Sequence, residues 1–310
     1  MNFIPDERLE KSPYIQLLML TSFALLGMVL SSVITVGLLY TLYGGNAFAA
    51  MQGGGGELEL YIDAIKISQA FTTIFLFLVP PLLLARLEHM KLSEFIGMRR
   101  PAAGNLLIVA ALMACSLPVI EWMAIWNQQM VLPDWLKPLE EWIRAKEDEA
   151  TRLTLAFLKV NNAWDYLINL VVIALLPAIG EEFLFRGAIQ RSFKRMFANP
   201  HIAIWVAAFI FSAIHMQFFG FLPRLLLGAM FGYVYWWTGS IWYAVFAHFL
   251  NNGYAVTMAW YMQVKHLPIE NAENNFNFKW YGYLISLLLT LVCLMVLKNK
   301  RTNKRTNNGQ

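Results

Sequence analysis

Three short stretches of an otherwise apolar chain carry residue types that can do chemistry. Glu181, Glu182 and Arg186 lie in Pro-Ala-Ile-Gly-Glu-Glu-Phe-Leu-Phe-Arg, Phe211 and His215 in Phe-Ser-Ala-Ile-His, and His248 and Asn252 in His-Phe-Leu-Asn-Asn. On a helix, positions four apart share a face and adjacent ones diverge by about 100°. Glu182 and Arg186 are therefore spaced for an ion pair, Glu181 points elsewhere without a local partner, and His248 and Asn252 share one face. A carboxylate and a neutral imidazole can together bind and deprotonate a water, a general-base step worth ~10²–10⁴ in rate. A second imidazole and an amide can donate hydrogen bonds to the oxyanion that forms on an attacked carbonyl. These types fit hydrolysis. Ser212 carries no mark of activation, and Cys115 and Cys293 are remote in sequence, so no side-chain nucleophile accompanies them.

The elements that must position these residues are membrane spans. Of 310 residues, 58% are hydrophobic and 14% charged, against about 25% charged in a globular chain. Apolar runs recur that are long enough to cross a hydrocarbon core of roughly 30 Å. A soluble enzyme, a nucleic-acid module and a disulfide scaffold are excluded, and the lack of period-two alternation excludes an outer-membrane barrel. The expected fold is all-α: a polytopic membrane helix bundle with about eight transmembrane helices and one amphipathic surface helix. The spans read as 15–43, 65–86, 104–126, 163–189, 201–219, 221–238, 241–262 and 280–297. Trp135, Leu139 and Trp142 recur at helical spacing among charged residues, which predicts the surface helix. Ala47-Phe48-Ala49 resembles a leader cleavage site, but it follows too long an apolar run and reads as an uncleaved anchor; Gly53 to Gly56 form a loop tip. The chain divides into a three-span region with the amphipathic outer loop (1–160), a motif-bearing core (161–297) and a basic tail (298–310). With the N-terminus inside, 15 of the 24 Lys and Arg fall on the inner side, which puts both termini in the cytoplasm.

A charge at bilayer depth costs ~2.5–3.5 kcal/mol on insertion scales, so buried ionisable groups are paired or functional. Glu181 and His215 are equidistant from the hairpin tip at Asn199-Pro200, about 25 Å along each helix, and an antiparallel hairpin sets them level. His248 and Asn252 lie roughly 14–20 Å past the Gly239 turn, so all four can meet, nearer the cytoplasmic half. Pro177 and Gly180 would kink the helix and free backbone carbonyls, which is tolerated beside a polar cavity. Gly228-x-x-x-Gly232 predicts close helix packing.

Glu-Glu-x-x-x-Arg, Phe-x-x-x-His and His-x-x-x-Asn, in this order and on three separate spans, resemble the three motifs of the CAAX-protease and bacteriocin-processing family, which includes the type II CAAX prenyl endopeptidases. The resemblance covers residues 181 to 252. It implies an intramembrane endopeptidase acting on a membrane-associated protein or peptide, in the inner membrane of a bacterium, among lipids and without nucleic acid. By it, Glu181 and His215 activate the water, His248 and Asn252 form the oxyanion site, and Glu182, Arg186 and Phe211 support them. No cofactor is favoured, although Glu181, His215 and His248 would be the ligands of a divalent metal such as zinc. Rival readings are a proton-coupled transporter, disfavoured by the bare first three spans, and a non-proteolytic scaffold or immunity protein of the same fold.

Overall fold

The computed structural model describes residues 10–45, 62–268 and 277–307, which form helices joined by turns and loops and contain no strand. The cleavage-like Ala47–Ala49 and the glycine run 53–56 lie outside these residues. Among the described residues nine longer helices carry the bundle: α1 (Pro13–Tyr43), α2 (Ile62–Leu87), α3 (Ala103–Gln128), α4 (Lys137–Leu158), α5 (Ala163–Phe197), α6 (Pro200–Ala213), α7 (Phe221–Thr238), α8 (Ile241–Val264) and α9 (Trp280–Asn307). Among the described residues five, namely α1, α2, α3, α5 and α9, are long and apolar enough to cross a membrane. The other three expected spans form α6, α7 and α8, of which α6 has only 14 residues.

Packing polarity is that of a protein in lipid. On α1 the buried positions include Gln16, Gly27, Ser31 and Thr35, whereas Leu18, Leu25, Val29 and Val33 are exposed. Small and polar residues thus face the bundle and large apolar ones face outward, because lipid removes the hydrophobic penalty for exposure and close contact drives association. Gly27 shows the consequence: a Cβ there would sit 2.1 Å from the Phe75 carbonyl oxygen, so α1 and α2 touch backbone to backbone. The protein is an integral membrane helix bundle.

Local signals set the helix ends around the motifs. Ala198 turns left-handed (φ 53°), the Asn199 side chain accepts from His201 N, and Pro200 opens α6. Three stretches, Ile74–Leu78 in α2 and Leu170–Leu175 and Phe183–Ile189 in α5, are wound as wider π turns. Gly228 and Gly232 let α7 meet α5 and α6 closely: a Cβ on Gly228 would lie 3.1 Å from Phe211, and one on Gly232 2.7 Å from Gln190. At the far end of α5, Arg191 and Arg195 grip the buried Glu10 carboxylate just before α1.

The expected amphipathic segment is α4 with the short helical turn before it, Asp134–Leu136, and Trp135, Leu139 and Trp142 are exposed. It docks on the bundle through its opposite face, where Glu147 Oε1 accepts from Phe219 N at 3.0 Å and Arg144 lies 3.8 Å over the Phe219 ring.

Candidate active site

The motif residues of α5 and α8 meet in the middle of the bundle. Glu182 is fully buried; its Oε1 accepts Arg186 Nη1 at 2.8 Å and His248 Nδ1 at 2.8 Å, while Oε2 has no hydrogen-bond partner. Arg186 Nη2 donates to the Gly228 carbonyl at 2.9 Å, and its guanidinium lies 4.7 Å over the Phe211 ring. The spacing of four thus yields the ion pair it predicts, with a third helix supplying the remaining acceptor. Each charge here is matched, as a group at this depth requires.

His248 is held between two adjacent carboxylates. Its Nε2 faces Glu181 Oε2 at 3.8 Å, and the imidazole stacks on Phe231 with ring centroids 5.1 Å apart. Glu181, expected to lack a partner on its own helix, finds this one on α8. Phe211 joins the groups sideways: its ring meets His215 at 5.1 Å and His248 at 6.0 Å, both edge-on.

His215 sits differently from the expectation. The apolar run 201–219 is not one helix; α6 stops at Ala213, and His215 lies in the turn that follows, with Met216 left-handed (φ 54°). Tertiary bonds make this turn: Ser212 Oγ donates to the Phe221 carbonyl at 2.7 Å, and Asn127 Oδ1 accepts Leu222 N at 2.9 Å. Irregular backbone at membrane depth persists where protein covers it, and α4 covers this stretch. His215 Nδ1 is bonded to the Phe211 carbonyl at 2.7 Å, which fixes the ring and leaves Nε2 for other work.

Asn252 takes a structural bond. Pro177 has no N–H to offer the carbonyl four residues back, that of Ile173, and Asn252 Nδ2 donates to this oxygen at 3.3 Å. Its Oδ1 accepts from Asn251 at 3.2 Å. Beside Asn252, an apolar recess of about 450 Å³ is lined by Met113, Tyr166, Leu170, Asn251 and Gly253.

Among the described residues, no three His, Cys, Asp or Glu side chains are grouped so as to hold a metal ion. Glu181, His215 and His248 are therefore not gathered as a three-ligand zinc site in this arrangement, although the Nδ1 bonds of both imidazoles leave their Nε2 atoms unengaged by hydrogen bonds. One further charged residue lies outside the three motifs: Arg224, in the first turn of α7. Its signal in the sequence is an arginine interrupting the apolar run Phe-Leu-Pro-Arg-Leu-Leu-Leu near the start of a span.

Comparison with known proteins bears on the same stretch. Residues 163–254, from the start of α5 to just past Asn252, match the family model described as type II CAAX prenyl endopeptidase Rce1-like. This segment is similar to Rce1-like domains. The family is one of proteases. The chain is also 31% identical over 86 residues to the uncharacterized protein YpbD of Bacillus subtilis (strain 168), an alignment covering 26% of this chain and 41% of that relative. The chain thus spans about two fifths of the length of this relative. No solved structure matches significantly.

Proposed function

We propose that the protein is an intramembrane endopeptidase that hydrolyses a peptide bond of a membrane-associated protein or peptide. The observation that carries this is the meeting of Glu181, Glu182 and His248 from two helices, with the Phe211 ring of α6 against His248 and against His215 in the turn that follows α6. In this reading Glu181 and His215 hold and deprotonate the attacking water. The water oxygen bonds to the scissile carbonyl carbon, and the carbonyl electron pair moves onto its oxygen. Collapse of that intermediate breaks the C–N bond, and the proton passes to the departing amine. His248 lies against the reacting groups, positioned by Glu182, which Arg186 balances. Asn252 keeps one amide hydrogen beyond the bond to Ile173 for the substrate. The substrates are proteins or peptides of the same membrane, and the chain resides in a bacterial inner membrane with both termini cytoplasmic, as its distribution of basic residues favours.

The test compares protein N-termini by mass spectrometry in cells carrying the wild type or Glu181→Gln at matched expression. Termini that require Glu181 support proteolysis and identify substrate and cut site together. Identical sets of termini, alongside a phenotype for the deletion, overturn it in favour of a non-proteolytic scaffold.

A further inference from the structure

Arg224 is the charged donor near the site whose capacity is least used. Nη2 donates to Gln217 Oε1 at 2.6 Å, and the guanidinium packs so tightly on Gly220 that a Cβ there would sit 3.3 Å from it. Nη1 is buried and has no hydrogen-bond partner. The guanidinium interacts electrostatically with Glu181 and His215, and with Glu147 of α4. A charged N–H kept from water without an acceptor is expensive. A preorganised donor of this kind suits an anion that is absent in the resting site and forms during reaction.

The neighbouring donors are partly engaged. His248 Nδ1 is bonded to Glu182 and its Nε2 lies 3.8 Å from Glu181, while Asn252 gives one hydrogen to Ile173 and keeps the other, so Arg224 would add a charged donor to those that remain. We propose that Arg224 Nη1 receives the oxyanion formed on the scissile carbonyl, a role that rests on the hydrolytic reading above. As the water oxygen adds to the carbonyl carbon and its proton passes to Glu181, the displaced electron pair settles on the oxygen facing Arg224. When the carbonyl re-forms, the C–N bond breaks and the amine leaves with the proton. The guanidinium binds this charged oxygen more strongly than the neutral carbonyl, so its effect falls on kcat rather than KM. A carboxylate at the end of the substrate chain is the other anion that Arg224 can hold.

The experiment uses the full chain in lipid–detergent micelles and a peptide spanning the cut site identified through Glu181-dependent termini, made as C-terminal acid and as amide. Arg224→Gln is expected to lower kcat about 10²–10³-fold, to leave KM near the wild-type value, and to slow acid and amide equally. Arg224→Lys and added guanidinium ions are expected to restore part of the rate. A rise in KM confined to the acid form overturns the oxyanion role and makes Arg224 a carboxylate anchor. Equal loss on both substrates with lowered thermal stability and no rescue overturns it in favour of a structural role. Glu181-dependent termini that persist at the wild-type level in cells carrying Arg224→Gln overturn this inference alone. If the wild type produces no such termini, the hydrolytic reading fails first and this inference falls with it.

Discussion

Replacing Arg186 by Ala tests the electrostatic logic of the motif helix. The guanidinium is almost entirely buried, gives one bond of 2.8 Å to Glu182 and one of 2.9 Å to the Gly228 carbonyl, and covers the Phe211 ring. Its removal leaves the fully buried Glu182 carboxylate with His248 alone, and Oε2 already lacks a partner. Breaking a buried pair on one side costs about 3–5 kcal/mol, a large share of a typical folding stability of about 5–15 kcal/mol. The assay is reversible denaturant unfolding in mixed micelles, followed by tryptophan fluorescence. Most of the loss should return in the double variant Glu182→Gln/Arg186→Met, which keeps the packing volume and leaves no unmatched charge. A single variant within about 1 kcal/mol of the wild type, or a double variant as unstable as the single one, would refute the reasoning.

Two further predictions concern backbone satisfaction and pH. Asn252→Ala should cost about 1–3 kcal/mol by orphaning the Ile173 carbonyl, and adding Pro177→Ala should recover part of it by restoring an N–H; a double variant no more stable than Asn252→Ala sinks the idea. Burial pushes the Glu10 carboxyl up, but hydrogen bonds and charges from Arg191, Arg195 and Gln16 outweigh it and hold it below the ordinary carboxylate value. A depressed folded-state pKa gives stability that is present above the unfolded value, about 4.5, and lost as pH falls through the folded value. Thermal melts of wild type and Glu10→Gln should therefore differ near neutrality and converge in acid; a constant difference across pH contradicts it.

The sequence was most legible where the deciding physics is local. Apolar run lengths locate the major helices, the interval of four anticipates the Glu182–Arg186 pair, and Asn199-Pro200 marks the hairpin tip. The end of α6 was hidden, because Ile214, Met216, Phe218 and Phe219 continue the apolar run while the turn is fixed by Asn127, Glu147 and Phe221, distant in sequence or on another element. Placement of His248 between two neighbouring carboxylates was equally invisible, since intrahelical spacing says nothing about which face of α5 meets α8. Pro177 signalled a freed carbonyl but not that Asn252 would be its donor.

The wide winding at Phe183–Ile189 has a consequence for the whole of α5. Upstream of it, Glu181 and Glu182 look toward α8; downstream, Arg191 and Arg195 look toward the chain entering α1. Helical direction advances about 100° per residue, so this stretch acts as a phase coupling between two locks on one shaft. Gaining or losing a single residue there would leave both locks chemically intact and aim one of them at the wrong neighbour. Length between Glu182 and Arg191 is thus a constraint of its own, separate from residue identity.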